Sequence, residues 1–287
     1  MVTSTRKSVT PDRRWLFLRR NKLGLIGLLI ITAVLFAAVF APAIAPYGVD
    51  SRDFRARFAG PSAAHLLGTD NFGRDTLSRI VYGSRVSVQV AVIAVGLSAV
   101  IGVLAGAFAG FFGGLVDTLV MRTVDVFLAF PPILLALALV AALGPSAQSV
   151  MVALGMVYWT TYARVIRSSI LAIREEDYVD ASRALGASPL RTLFRHVLPN
   201  ALGPVIVIAT VGMGNAITAE ASLSFLGLGV QPPTPSWGSI LNTGLQFLRQ
   251  GPLLSVFAGL AIMLTVLGFN LLGDALRDLL DPRKVSA

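Results

Sequence analysis

Long runs of uncharged, mostly apolar residues recur along this chain and restrict what it can fold into. About 20 such residues, wound as a helix, cross the hydrocarbon core of a bilayer, where no water can satisfy a free backbone amide or carbonyl. Residues 23–45 form the first run, closed by Pro42, Pro46 and Gly48. Its length, and the lack of a well-placed small-residue cleavage site, mark a retained anchor rather than a cleaved signal. Residues 86–112 form the second. Residues 126–163 carry no charge, and Gly144-Pro145-Ser146 divide them into a third and a fourth, with Pro131-Pro132 expected to kink the third. Residues 200–219 and 252–273 complete six spans. The uncharged stretch 221–248 is excluded, because Pro232, Pro233 and Pro235 cannot sit in a lipid-facing helix; it reads as a loop or re-entrant segment. Only 14% of the 287 residues are charged, against about 25% in soluble domains, and mean hydropathy is +0.74. The expected class is an all-α membrane protein.

Charge sets the expected orientation. With both termini in the cytoplasm, 17 of the 24 Lys and Arg residues fall on the cytoplasmic side and 7 on the other. The organisation is then a basic tail (1–22), the first span (23–46), an outer loop (47–85), a helical core (86–275) holding a cytoplasmic loop (168–199), and a tail (276–287). Six of the outer arginines, Arg52, Arg55, Arg57, Arg74, Arg79 and Arg85, crowd one loop, offset in part by Asp50, Asp53, Asp70 and Asp75. In an apolar chain the net charge of +9 reads as a membrane-surface signal and not as a nucleic-acid footprint. Residues 13–20 mix arginine with Trp15, Leu16, Phe17 and Leu18, which suits an interfacial helix or a plain topology signal.

Within the spans, Gly102, Gly106 and Gly110 recur every fourth residue. They form either a seam for close helix packing or a strip lining a pathway. Arg122 and Asp125, three apart, are placed to pair. Glu220 ends the fifth span and is the most isolated acid; it is either a gate near the outer mouth or a helix-end carboxylate satisfied by Thr218, Ser222 or Ser224. Trp237, among prolines, reads as a docking knob or an interfacial belt residue.

The stretch between spans four and five is built as an elbow. Glu175-Glu176-Asp177 open one helix with acids in its first turn, and Gly186 interrupts it. Ser188-Pro189 start a second, on which Leu190, Leu193, Phe194 and Val197 form an apolar stripe; Pro199 is expected to stop it. The stripe can lie on the chain's own bundle or insert into a groove on a soluble partner.

Asp180-Ala181-Ser182, Gly186 and Leu198-Pro199 resemble the EAA-x3-G-x9-I-x-L-P signature of ABC importer permeases at every fixed spacing. Asp180 replaces Glu, Ser182 replaces Ala, and His196 stands where Ile is usual. Further segments resemble the peptide/nickel branch, among them His65-Leu66-Leu67-Gly68-Thr69-Asp70, Glu220-Ala221-Ser222-Leu223-Ser224-Phe225 and Gly273-Asp274-Ala275-Leu276-Arg277-Asp278. The chain is similar to the C-type permease subunits of dipeptide/oligopeptide ABC importers over nearly its whole length beyond residue 13.

That resemblance implies a type I importer permease with a coupling helix at 180–199. Leu190, Leu193 and Phe194 would be anchors in an ATPase cleft, and Asp180 would pair with a basic residue or hold the corner. It implies a second, homologous permease subunit, two ABC ATPase subunits, an extracytoplasmic substrate-binding protein and a cargo of dipeptides or oligopeptides, with nickel or glutathione as alternatives. ATP and Mg2+ would belong to the ATPases, leaving this chain no cofactor of its own. The residues agree that the chain is not itself an enzyme. Lys7, Lys22 and Lys284 each follow Arg or Asn, so none can be a Walker lysine. There is no cysteine, no Gly-x-Ser-x-Gly, and His65 and His196 cannot build a metal cage. A proton-driven secondary transporter is disfavoured because the spans lack a relay of buried ionisable groups; a membrane scaffold is the other rival.

Overall fold

The computed structural model describes residues 21–280, and those residues fold as helices linked by turns, with no strand among them. The interfacial-helix reading of 13–20 and the tail 281–287 lie outside the described residues. The helices are α1 (Lys22–Val39), α2 (Ala41–Ile44), α3 (Thr76–Phe112), α4 (Gly114–Leu128), α5 (Pro132–Leu143), α6 (Ala147–Ile173), α7 (Asp177–Ala184), α8 (Pro189–Thr192), α9 (Leu198–Phe225), α10 (Trp237–Gln246) and α11 (Pro252–Leu280).

Five of these, α1, α3, α6, the α8–α9 run and α11, are long and apolar enough to cross a membrane. The pair α4 and α5 together passes the same test but bends by 88°, as a broken span or a re-entrant loop does, so the count is five, or six where the pair crosses as one. The break falls at the proline pair where a kink was expected, but as a bend between two helices rather than a kink within one. Pro131 and Pro132 remove two donors in succession, and Pro132 becomes the first residue of a new helix. The second span also begins ten residues earlier than expected, because Asp75 caps Ser78 N at 2.7 Å and polar residues that water alone could have kept are buried in its first turns.

Close backbone approach organises the bundle. Gly102, Gly106 and Gly110 face α6: a Cβ at Gly102 would meet Trp159 O and Tyr162 Cβ, and one at Gly106 would meet Ala163 O and Ile166 Cγ2. With no hydrophobic drive between helices in lipid, such small-residue seams let van der Waals packing hold the pair. Gly24 and Gly27 do the same for α1 against Ala275 and Gly268 of α11. Val179, Leu193 and Val197 of the elbow join the main core, beside Ala107, Ile166 and Ile170.

Candidate functional site: the elbow and the two ends of the bundle

The elbow is built by local backbone rules. After α7 the chain turns at Gly186, whose φ of +82° is left-handed. Ala187 N donates to Ser182 O at 3.2 Å and Gly186 N to Arg183 O at 2.9 Å. These two bonds form a Schellman cap, which satisfies carbonyls that the ended helix would otherwise orphan. Ser188 takes extended dihedrals before Pro189, though its side chain makes no capping bond. Pro199 does not stop the second helix, contrary to expectation. A π-helical turn, Leu193–Val197, widens the backbone so that the pyrrolidine fits, and α9 continues through it. The disturbed ladder is re-satisfied from side chains: Asn200 Nδ2 donates to His196 O at 2.7 Å, and Tyr178 Oη donates to the same oxygen at 3.4 Å.

The apolar stripe divides between two duties. Leu193 and Val197 are fully buried in the chain's own core, so Leu193 cannot be a partner-facing anchor as the resemblance implied. A π turn advances fewer degrees per residue than an α turn, so four residues at helical spacing do not share one face here. Leu190, Phe194, Tyr178 and Leu185 remain outside, Leu185 at 88% exposure. The Phe194 ring stands edge-on to Phe108, with centroids 6.1 Å apart. Asp180, Ala181, Pro199 and Gly186 are exposed, while Ser182 is buried with its hydroxyl 3.4 Å from that of Thr192. Asp180 pairs with Arg183 at 2.9 Å, and Arg183 also lies over the Phe111 ring. His196 and Leu198 are half-buried. Tyr178, Ala181, Leu185, Arg191, Arg195 and His196 border a groove of about 520 Å³ beside the Gly186 corner.

Three contacts that sequence reasoning missed tie α6, the helix that leads into the elbow, to α3 and α4. Arg174 Nη1 donates to Gly110 O at 3.0 Å, at the end of α3. Arg167 forms a bidentate pair with Asp117, and Arg164 pairs with Asp125 at 2.7 Å. Asp125 therefore reaches across to α6 instead of pairing with Arg122, as their spacing suggested. For the two pairs the signal was present only as two arginines on α6 and two aspartates on α4, with nothing local to join them.

The opposite end of the bundle resolves the crowded arginines. Arg74 Nε donates to Asp70 Oδ2 at 2.7 Å, Arg79 lies 3.5 Å from the same oxygen, and all three side chains are buried. Asp70 Oδ1 also accepts from the backbone nitrogens of Phe72 and Arg74. Arg52 pairs with Asp50 at 2.8 Å, and that hydrogen bond holds the Asp50 carboxyl below its ordinary range. His65 Nδ1 sits 3.0 Å from Asp75. Three of the six loop arginines, Arg52, Arg74 and Arg79, thus each meet an aspartate.

Glu220 is fully buried inside α9, not at its end. Ser87 Oγ of α3 donates to Oε2 at 3.1 Å and Ser224 Oγ to Oε1 at 2.7 Å. Thr218 and Ser222 bond back to their own helix instead. Trp237 is also buried, its Nε1 donating to Ile80 O at 3.0 Å beside Gly83, so it is neither a docking knob nor an interfacial belt residue. A proline-rich approach and a Ser236/Ser239 capping box turn it inward as the first residue of α10.

Known proteins resemble this arrangement. Residues 102–286 match the binding-protein-dependent transport system inner membrane component, and residues 12–61 match the N-terminal transmembrane domain of oligopeptide transport permease C. The dipeptide transport system permease protein DppC of Escherichia coli is 49% identical, over 98% of this chain and 96% of that protein. The protein of the same name from Alkalihalophilus pseudofirmus is 46% identical over 94% of this chain and 88% of that one. The glutathione transport system permease protein GsiD of Escherichia coli is 42% identical over 94% and 89%. An inward-facing structure of the MetNI methionine ABC transporter superposes with a TM-score of 0.57, 20% identity, and coverage of 71% of this chain and 96% of that one, a likeness of fold. With that family model matched over residues 102–286 and relatives 46% and 49% identical over nearly the whole chain, the chain belongs to the binding-protein-dependent transport system inner membrane component family.

Proposed function

We propose that this chain is one permease subunit of an ATP-driven importer of dipeptides or oligopeptides in a bacterial inner membrane, with both termini cytoplasmic. The observation that carries the reading is the elbow. Its inner residues are locked into the core while Tyr178, Leu185, Leu190 and Phe194 stay uncovered around a groove. A cytosolic element exposing four large apolar side chains gains from a partner that covers them. In this reading the coupling residues are Asp180, Ala181, Ser182, Gly186, Leu190, Phe194, His196, Leu198 and Pro199. The outer side chains enter a cleft of an ATPase subunit, and the buried ones with Arg174 pass its movement to α3 and α6. ATP and Mg2+ are held by that partner. A second permease subunit and an extracytoplasmic binding protein complete the complex, and the names of the close relatives support peptide as the cargo.

Co-purification of the complex tests this. Phe194→Asp and Leu185→Asp should each strip the ATPase from the membrane fraction while the permease still inserts and elutes as a single species. Leu185 touches little of its own chain, so a loss there cannot be laid to misfolding. Full retention of ATPase by both variants would remove the coupling role.

A further inference from the structure

Polar groups on three membrane-spanning helices converge on a hollow of about 300 Å³ between α3, α6, α9 and α11. Tyr158 and Thr161 of α6, Asn215 of α9, and Asp274 and Arg277 of α11 line it. Asn270 stands one turn from Asp274, its Oδ1 near Gly214, so Asn270, Asp274 and Arg277 follow i, i+4, i+7 on one face of α11. Thr161, Asn215, Asn270, Asp274 and Arg277 are all exposed, and none has a hydrogen bond or ion pair among the described residues. Thr218 and Ser222, further along α9, satisfy their hydroxyls on their own backbone. The amides of Asn215 and Asn270, at membrane depth, have no such local remedy, and an unpaired polar group facing hydrocarbon is costly, while Asp274 and Arg277 stand at the end of the same α11 face. This face is therefore in contact with water or with something polar.

We infer that these six residues line this chain's half of the translocation path and contact the backbone and charged ends of a peptide in transit. The inference rests on the proposed importer function and adds where the cargo touches this subunit. Three features favour a peptide over a packed protein surface. The face is concave. Its donors and acceptors are amide and hydroxyl groups, which match peptide bonds. Asp274 and Arg277 are three residues apart, close enough to pair on a helix, yet they do not. An acceptor and a donor fork that do not close on each other at one mouth suit the ammonium and carboxylate of a zwitterion.

The absence of native cysteine makes the test direct. Thr161→Cys, Asn215→Cys and Asn270→Cys are introduced singly into the assembled importer and treated with a membrane-impermeant methanethiosulfonate. Met156→Cys and Ile206→Cys, exposed apolar positions on other faces of α6 and α9, serve as references. The path positions should label several times faster than the references, and Asn215→Leu should lower dipeptide uptake about tenfold, the worth of one or two hydrogen bonds, with ATP hydrolysis retained. Path positions that label no faster than the references in an importer that still takes up dipeptide would overturn the inference alone. Fast labelling in a complex that carries no peptide would instead overturn the cargo proposed above and the peptide contact with it.

Discussion

A matched pair of substitutions in α3 isolates the glycine seam. A Cβ at Gly106 would collide with Ala163 O and Ile166 Cγ2 of α6, whereas one at Gly96, in the same helix, meets nothing within 4 Å. Both changes to alanine gain about 0.5–1 kcal/mol from reduced backbone freedom. That gain is common to the two variants, so the difference between them measures the clash. Ala163 is fully buried in a helix that cannot yield locally, which places the cost in the overpacking range of about 1–3 kcal/mol. Gly96→Ala should leave the chain as stable as the parent or slightly more so, and Gly106→Ala should be less stable than Gly96→Ala by that amount. Denaturant titration of the chain in mixed micelles, followed by far-UV circular dichroism or tryptophan emission, reads the difference. Trp159, whose carbonyl meets the seam at Gly102 and whose ring packs edge-on to Phe127 of α4, reports on this part of the bundle. Equal stability of the two variants would show that the α3–α6 contact is not set by glycine, and the seam argument would fail.

Other outcomes follow from the same geometry. Arg74→Ala leaves Asp70 buried without its closest partner and should cost about 3–5 kcal/mol in the same titration, whereas Arg52→Ala, at an exposed pair, should cost under about 1 kcal/mol. Glu220→Leu strands the hydroxyls of Ser87 and Ser224 and should destabilise by about 1–3 kcal/mol for each, with Glu220→Gln retaining part of the loss; a leucine variant as stable as the parent would deny the clasp. Gly186→Val meets no neighbour but must hold φ at +82°, so a strain of about 1–3 kcal/mol should appear as lost ATPase co-purification with the membrane bundle intact. Arg174→Ala removes the donor on Gly110 O and should weaken ATP-coupled uptake more than ATPase binding; equal loss of both would refute a relay role.

Two features of the elbow bear on how force could cross it. The Schellman cap and the bonds converging on His196 O make it a short rigid unit instead of a loop, and its buried side is continuous with the core beneath α3 and α6. A push on Phe194 or Leu190 therefore meets packed atoms at once, including Phe108 of α3. Packed interfaces tend to switch between discrete arrangements rather than deform smoothly, which suits a subunit that alternates between two states.

Much of this protein was legible from one dimension. Uncharged runs of span length, the Gly186 break, the Ser188-Pro189 restart and the four-residue glycine repeat are local properties of the chain, and local physics decides them: bilayer thickness, left-handed backbone, missing donors and side-chain size. The placement of Leu193, Trp237 and Glu220 was not legible. Each has a residue type compatible with two environments, and what separates them is contact with elements tens to more than a hundred residues distant, as with Glu220 and Ser87. The size of the α4–α5 bend, the Asp125–Arg164 pair and the pairing of Arg52, Arg74 and Arg79 with aspartates belong to the same class. Periodicity reports which residues share a helix face; only tertiary structure decides what that face meets, because the partner is chosen by packing across the chain and not by neighbours along it.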